Sequence, residues 1–496
     1  MLTARLSVMM FLEFFIWGAY FVSMALYISA EGVRDSDALA AAVTGDRGEA
    51  AASLTPAELT EAVTERVNSI KANAYTAIPL GAILAPLFLG LLADRLLPAQ
   101  IVNGILHLIG AVLLWLLPTV ELTLFFPVLL LYAVVYMPTL GLTNTVAFHS
   151  ISESDGNAER QFPVIRVFGT IGWIAAGLLV STLLQADTSP VQFQIAAIAS
   201  AVFGLYSFTL PSTPPAMKGQ PVSIGSLLGV DALSLLRNRS FATFMVASAL
   251  LCIPLAFYYQ SAAGYLSSLA PRIGDYSIDQ FAADTPNATA DGTTLQDAYT
   301  DALAERTGFA KPTDIMTMGQ MSEIGFMLLI PFFFRALGTK WMLLIGMVAW
   351  VVRYLLFAGA FGSAVPWMLI AGVLLHGICY DFFFVTGQIY VDKAAPPAVR
   401  GQAQGLLVLL TQGVGMIIGA QAAGFLANAT TSVQDGVPVT DWVTFWMLPA
   451  ALAGVIAVAF WALFREPAAT DPAIETDPLA ADEDPTVAVP PTEPAL

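Results

Sequence analysis

Five ionisable side chains sit inside otherwise apolar stretches of this sequence: Glu13, Arg166, Glu323, Arg353 and Asp381. Such a group at mid-bilayer costs about 2.5–3.5 kcal/mol even on the lenient insertion scale, so each must be paired, wetted or protonated. The plainest case is the run Gly319-Gln-Met-Ser-Glu-Ile-Gly-Phe-Met-Leu-Leu-Ile-Pro-Phe-Phe-Phe334. Glu323 lies within it, and Gln320 precedes it by one helical turn on the same face.

The other four groups also keep polar or aromatic company. Glu13, Trp17 and Tyr20 follow i, i+4, i+7 spacing, either a functional stripe or a packed interface with one interfacial aromatic. Arg166, Thr170 and Trp173 repeat that spacing, and they offer hydrogen bonding and ring stacking on one face. Arg166 at the cytoplasmic headgroup boundary, snorkelling to water, is the alternative. Arg353 and Asp381 have opposite signs in neighbouring spans and are expected to couple, directly or through water, as a static pair or as a proton switch. His376 and Tyr380 share a face, as a wet pocket wall or an interhelical hydrogen bond. Gly415 and Gly419, flanked by Gln412 and Gln421, read as close helix packing.

These groups need a bundle to bring them together. The chain has 496 residues, 57% hydrophobic and 11% charged, with mean hydropathy +0.72, far more apolar than a soluble domain. Apolar runs near the membrane-spanning length recur along it. The fold class is therefore an all-α polytopic membrane protein with twelve spans, near 5–29, 73–94, 100–119, 123–148, 162–185, 191–211, 239–268, 314–336, 340–361, 366–390, 401–426 and 442–464. The organisation is a six-helix half over 1–211, a linker over 212–238, a second six-helix half over 239–465 and a disordered acidic tail over 466–496.

Outer insertions at 31–72 and 269–313 read as a solvated cap, with a substrate-capturing lid as the alternative. Thr55-Pro-Ala-Glu58 in the first is a capping box, so a helix should start there. A short helix is expected over Thr294–Arg306 in the second. Lys and Arg cluster in one alternate set of loops, which places both termini in the cytoplasm of a cell (inner) membrane protein. The first apolar stretch is too long for a cleaved signal and is read as a retained span.

The net charge of −17 is carried largely by the insertions and tail, and without a basic patch no nucleic-acid partner is expected. Cys252 and Cys379 fall in apolar runs and read as core residues. No phosphate loop, dinucleotide fingerprint, metal cluster or hydrolase triad occurs, so no cofactor, metal or catalytic residue is expected and the chain is read as a non-enzyme. No pore-lining ring supports a channel.

Gly90-Leu-Leu-Ala-Asp94-Arg95 resembles the loop 2–3 signature of the major facilitator superfamily, which implies a gating role for Asp94 and Arg95. The chain as a whole resembles the nucleoside:proton symporter family of that superfamily. The resemblance is carried by Phe11-Leu-Glu-Phe-Phe-Ile-Trp17, Tyr136-Met-Pro-Thr-Leu-Gly-Leu, Phe162-Pro-Val-Ile-Arg-Val-Phe-Gly-Thr-Ile-Gly, Gln320-Met-Ser-Glu323, Ala349-Trp-Val-Val-Arg353, Tyr380-Asp381-Phe-Phe and Arg400-Gly-Gln-Ala-Gln-Gly405.

The resemblance implies a central cavity between two halves that opens alternately to each side. It also implies that Arg166, Thr170, Trp173, Gln320 and Glu323 meet a nucleoside. A nucleoside offers hydroxyls, base edges and a flat ring to such groups. This sequence departs from the family on several walls: the Gln and Asn of the seventh span fall on Ala256 and Tyr259, a Tyr on His376, a Phe on Tyr380 and a Gln on Glu13. Tyr259 and Gln260 are candidates to fill the gap, with His376 and Tyr380 completing the substrate set. Asp381, Glu323, Glu13 and Arg353 are the proton-coupling candidates. The expected function is import of a nucleoside with protons across the lipid bilayer by a monomer. The alternatives are a proton- or sodium-coupled symporter of a sugar or other small polar solute, and a non-transporting receptor.

Overall fold

The structure is a computed structural model that describes residues 2–47, 54–88, 93, 96–154, 158–215, 230–286, 298–299, 302–303, 306, 312–396, 399–434 and 437–465. Asp94, Arg95 and the expected acidic tail lie outside the described residues, as does most of the helix expected over Thr294–Arg306.

The first half runs through α1 (Leu2–Gly18), α2 (Met24–Arg34), α3 (Ser36–Arg47), α4 (Pro56–Phe88), α5 (Ala99–Leu116), α6 (Leu122–Glu153), α7 (Ala158–Leu178) and α8 (Val191–Ser207). Turns over 19–23 separate α1 from α2 inside the first expected span. The α4 helix opens with the expected capping box. Glu58 Oε2 accepts from the Thr55 amide at 2.7 Å, and the Glu58 amide donates to Thr55 Oγ1 at 3.3 Å.

The second half begins with α9 (Arg239–Gly274) and the short α10 (Ile278–Asp284), then α11 (Pro312–Ser363). The tenth span is assembled from α12 (Pro366–Leu374), α13 (His376–Tyr380), a π-helical turn over Asp381–Val385 and α14 (Thr386–Ala394). The eleventh is α15 (Arg400–Val408), a π turn over Leu409–Gly415 and α16 (Met416–Thr430), and α17 (Trp442–Leu463) closes the bundle. The α11 helix breaks at Gly338, whose φ of 71° suits glycine because a Cβ would be strained there.

Eight described segments are long and apolar enough to cross a bilayer. Because α11 is broken at Gly338, it covers both the eighth and ninth expected spans. Val191–Ser207 is a shorter apolar helix, and the first two expected spans fall on α1–α2 and α4. Residues 427–441, between the eleventh and twelfth expected spans, include a two-stranded hairpin. Its strands are Thr431–Gln434 and Val437–Thr440, and Thr431 pairs with Thr440. Alternating β-branched residues on either side of an Asp-Gly pair in the sequence favour that hairpin.

The apolar interior divides into two clusters. One draws almost wholly on residues between Leu6 and Leu210, the other on residues between Ala232 and Phe464. Trp173 and Tyr259 pack against both clusters, so these two rings mark the seam between the halves. A small separate cluster of Phe281, Tyr299 and Leu303 lies in the second insertion, where the Arg306 guanidinium stacks 4.4 Å from the Tyr276 ring. Cys252 and Cys379 are buried free thiols, as expected.

Candidate functional site

Glycine sets the approach of the elements that build the seam. A Cβ on Gly172 of α7 would lie 2.2 Å from the Phe11 carbonyl oxygen, and one on Gly18 would lie 2.9 Å from the Trp173 backbone. Only glycine lets α1 and α7 come this close, which fixes Trp173 against α1. In the second half, a Cβ on Gly377 would lie 2.7 Å from the Ser322 carbonyl oxygen, so α13 rests directly on α11. The Ser322 hydroxyl accepts the Gly377 amide at 3.1 Å and lies 2.9 Å from the Leu374 carbonyl oxygen. It thereby satisfies backbone groups freed where α12 gives way to α13. The result places His376 beside Glu323.

The expected substrate residues, with the coupling candidates Arg353 and Asp381, form two layers. Arg166, Thr170, Trp173, Tyr259, Glu323 and Tyr380 are half-buried, as the wall of a space between the halves would be. Behind them Gln260, Gln320, Arg353, His376 and Asp381 are buried. Aromatic rings connect the halves through this wall. Trp17 meets Trp173 at 5.5 Å, Phe21 meets both Trp173 (6.1 Å) and Tyr259 (5.3 Å), Tyr259 meets Tyr258 (5.7 Å), and Tyr258 stacks on His376 (5.6 Å). The Arg166 guanidinium lies 4.0 Å over the Phe14 ring.

Glu323 is backed by a chain of donors. Its Oε2 is 3.8 Å from His376 Nε2, and His376 Nδ1 is 3.0 Å from Arg353 Nη1. A guanidinium has only donors, so Nδ1 must accept, and a neutral His376 then carries its proton on Nε2, facing Glu323. The Arg353 guanidinium is fully buried and stacks 3.6 Å from the Tyr258 ring.

The expected direct coupling of Arg353 with Asp381 is corrected by this geometry. No ion pair joins them among the described residues, because the α13 register gives Arg353 to His376 instead. Asp381 opens the π turn, is 0% exposed, and neither carboxyl oxygen has a hydrogen-bond partner among the described residues. A buried carboxylate without a donor is costly, so this one is suited to being held as the neutral acid. Turns of this π type concentrate at functional positions.

Glu13 is not on the seam. It is buried within the first half, with His107 Nε2 at 3.1 Å. The sequence reading passed over His107. The signal was present, since a histidine inside the apolar run Asn103-Gly-Ile-Leu-His107-Leu poses the same problem as His376.

The two halves also touch away from these residues. Asn68 donates to Asn428 at 2.9 Å, Gln421 donates to Thr76 at 2.8 Å, and Thr182 donates to Asp314 at 2.6 Å. All three contacts fall at the end of the bundle expected to face outward.

Comparison with known proteins agrees with this geometry. The family model described as nucleoside H+ symporter matches residues 1–72 and 65–469. The chain is 37% identical over 478 residues to the putative nucleoside transporter YegT of Escherichia coli (strain K12), covering 94% of each chain. It is 30% identical to the nucleoside permease NupG of the same organism, covering 94% of this chain and 96% of that one. A crystal structure of nucleoside transporter NupG superposes with a TM-score of 0.70 at 29% identity, covering 94% of this chain and all of that one. A D-xylose-proton symporter shares the fold, with a TM-score of 0.59 at 12% identity, covering 94% of this chain and 99% of that one.

Proposed function

The chain belongs to the nucleoside H+ symporter family, and from that premise we propose how its two halves divide the work of proton-coupled nucleoside import. It is a multi-pass membrane transporter of the major facilitator fold, not an enzyme.

In this proposal the nucleoside lies between Trp173 and Tyr259. The base stacks on these rings. Arg166, Thr170 and Gln320 supply donors and acceptors to its polar edges, and Glu323 accepts from the ribose hydroxyls. Gln260, His376 and Tyr380 complete the wall. The observation that carries this reading is the packing of Trp173 and Tyr259 against both cores, since a solute held there touches both halves at once.

Coupling is assigned to the second half. A proton arriving from outside neutralises Glu323 or Asp381, and the Glu323–His376–Arg353 chain then reorganises. With Glu323 neutral, the Nε2–H edge of His376 no longer faces a negative charge 3.8 Å away, and the Arg353 charge is no longer offset across the imidazole. The seam can then rearrange with one fewer buried charge, consistent with alternating access around a fixed site. The contacts of Asn68, Thr76 and Thr182 with the second half support an arrangement shut on the outer side.

The Lys and Arg of the alternate loops support an inner-membrane protein with both termini in the cytoplasm. The halves 1–211 and 239–465, joined by 212–238, are the proposed moving units of a monomer. If Asp94 and Arg95 act as a gate, they do so at the cytoplasmic edge.

The test is uptake of radiolabelled uridine and adenosine into proteoliposomes under an inward proton gradient. Gradient-driven uptake by the wild type that Glu323→Gln abolishes is the expected result. Uptake indifferent to collapse of the gradient would overturn the proton assignment, and absence of nucleoside uptake by folded protein would overturn the substrate assignment.

A further inference from the structure

The buried cluster around Glu13 lies outside the pocket and is closed on itself. Glu13 Oε2 is 3.1 Å from His107 Nε2, and Oε1 is 2.7 Å from Thr139 Oγ1. The Tyr136 hydroxyl donates to the Glu13 carbonyl oxygen at 2.7 Å. Ser200 Oγ donates to the His107 carbonyl oxygen at 2.8 Å and sits 3.2 Å from His107 Nδ1. With its single proton used on the carbonyl, Ser200 can only accept from Nδ1, so His107 carries a proton there in any state that keeps this geometry.

The Thr139 hydroxyl is the variable element. It has one proton and two acceptors, Glu13 Oε1 at 2.7 Å and the Tyr136 carbonyl oxygen at 2.6 Å. Turned toward Glu13, it supports a carboxylate, which then shares one proton with His107 and leaves the pair neutral overall. Turned toward Tyr136, it presents a lone pair to Oε1, which suits a carboxylic O–H. Rotation of one hydroxyl therefore lets the pair take one more proton, from net 0 to net +1, without moving a heavy atom.

We propose that Glu13, His107 and Thr139 form a second proton-binding site, buried in the first half and separate from the pocket. The proposal rests on the reading of this chain as proton-coupled. The groups that face Glu13 are His107 from α5, the phenols of Tyr132 and Tyr136 from α6 and the non-titrating Ser200 from α8. From α7 comes the charge of Arg166, stacked on the neighbouring Phe14. A positive charge gained at the pair raises the cost of the Arg166 guanidinium beside α1, and α1 also carries Trp17 against Trp173. The site thus tunes the first-half wall of the pocket by way of α1.

The test is acid-minus-neutral infrared difference spectroscopy of the purified full chain, reading the carboxylic-acid carbonyl stretch, on wild type, Glu13→Gln and Thr139→Val. The expected result is a wild-type component that is missing in Glu13→Gln. In Thr139→Val, which keeps both titrating groups and the side-chain shape, it moves to higher wavenumber because the acid O–H loses its acceptor. Should Glu13→Gln fail to fold, Thr139→Val alone decides. Spectra that superimpose in this region for wild type and either variant would overturn the site. The readout needs no transport, so it stands apart from the fate of the nucleoside assignment. In proteoliposomes the same variants are expected to flatten the pH dependence of uptake.

Discussion

Glu13 and His107 stand 3.1 Å apart and are 0% and 1% exposed, whereas Glu323 and His376 stand 3.8 Å apart with 13% of the Glu323 side chain exposed. The first pair lies inside one half, and among the described residues every partner of its carboxylate and imidazole comes from that half. The second pair lies on the seam, backed by Arg353 and with its carboxylate partly exposed. The same two residue types therefore serve different ends. In the proposed reading, the pair whose hydrogen bonds are saturated stores a proton, and the pair with the longer contact, on the seam, changes on protonation what the halves feel of each other.

The sharpest way to break this contrast is Glu323→Gln. It removes the charged partner that lies 3.8 Å from His376 Nε2, and gradient-driven uridine uptake is expected to be abolished. Asp381→Asn comes next. It keeps the shape of the buried acid without a titrating group, so accumulation against a gradient should fall by more than nucleoside exchange does. Equal loss in both assays would count against a coupling role. Gly377→Ala attacks the geometry rather than the chemistry. Its Cβ would fall 2.7 Å from the Ser322 carbonyl oxygen and push His376 away from Glu323. Uptake should drop roughly tenfold, or about 1.4 kcal/mol, while the infrared component of Glu13 stays in place. The smallest effect belongs to Thr182→Val, which removes one contact at the outer end. A loss of about 0.5–1.5 kcal/mol should speed outside labelling of a cysteine placed at Gly177. Unchanged labelling would mean that the contact with Asp314 does not hold that end shut.

The sequence reading reached most of these residues because charge inside an apolar run is conspicuous at any register. It identified Glu323, Arg353, His376 and Asp381 one by one, and the capping box at Thr55 is fully local, so its geometry followed from spacing alone. What it could not supply was the pairing between helices. Opposite sign suggested Arg353 with Asp381, but which side chains meet is set by how closely α13 lies on α11, and that depends on Gly377 and Ser322 rather than on charge. His107 was missed for a related reason. Its role appears only when α1 and α5 are brought together, although a histidine in an apolar run was itself a warning. The core divides into two clusters, one almost wholly up to Leu210 and the other almost wholly from Ala232 on. The packing of Trp173 and Tyr259 against both clusters was not legible in the sequence, because membership in two cores is a property of the packed bundle.

That double membership has a calorimetric consequence. Rings that pack on both cores cannot keep all of their contacts when the halves move apart, so part of their apolar surface must meet water during each cycle. Exposing apolar surface raises the heat capacity. The activation step of transport should therefore carry a positive heat-capacity change, and a plot of log uptake rate against inverse temperature should be bowed rather than straight. Replacing Trp173 or Tyr259 with a smaller side chain should straighten it.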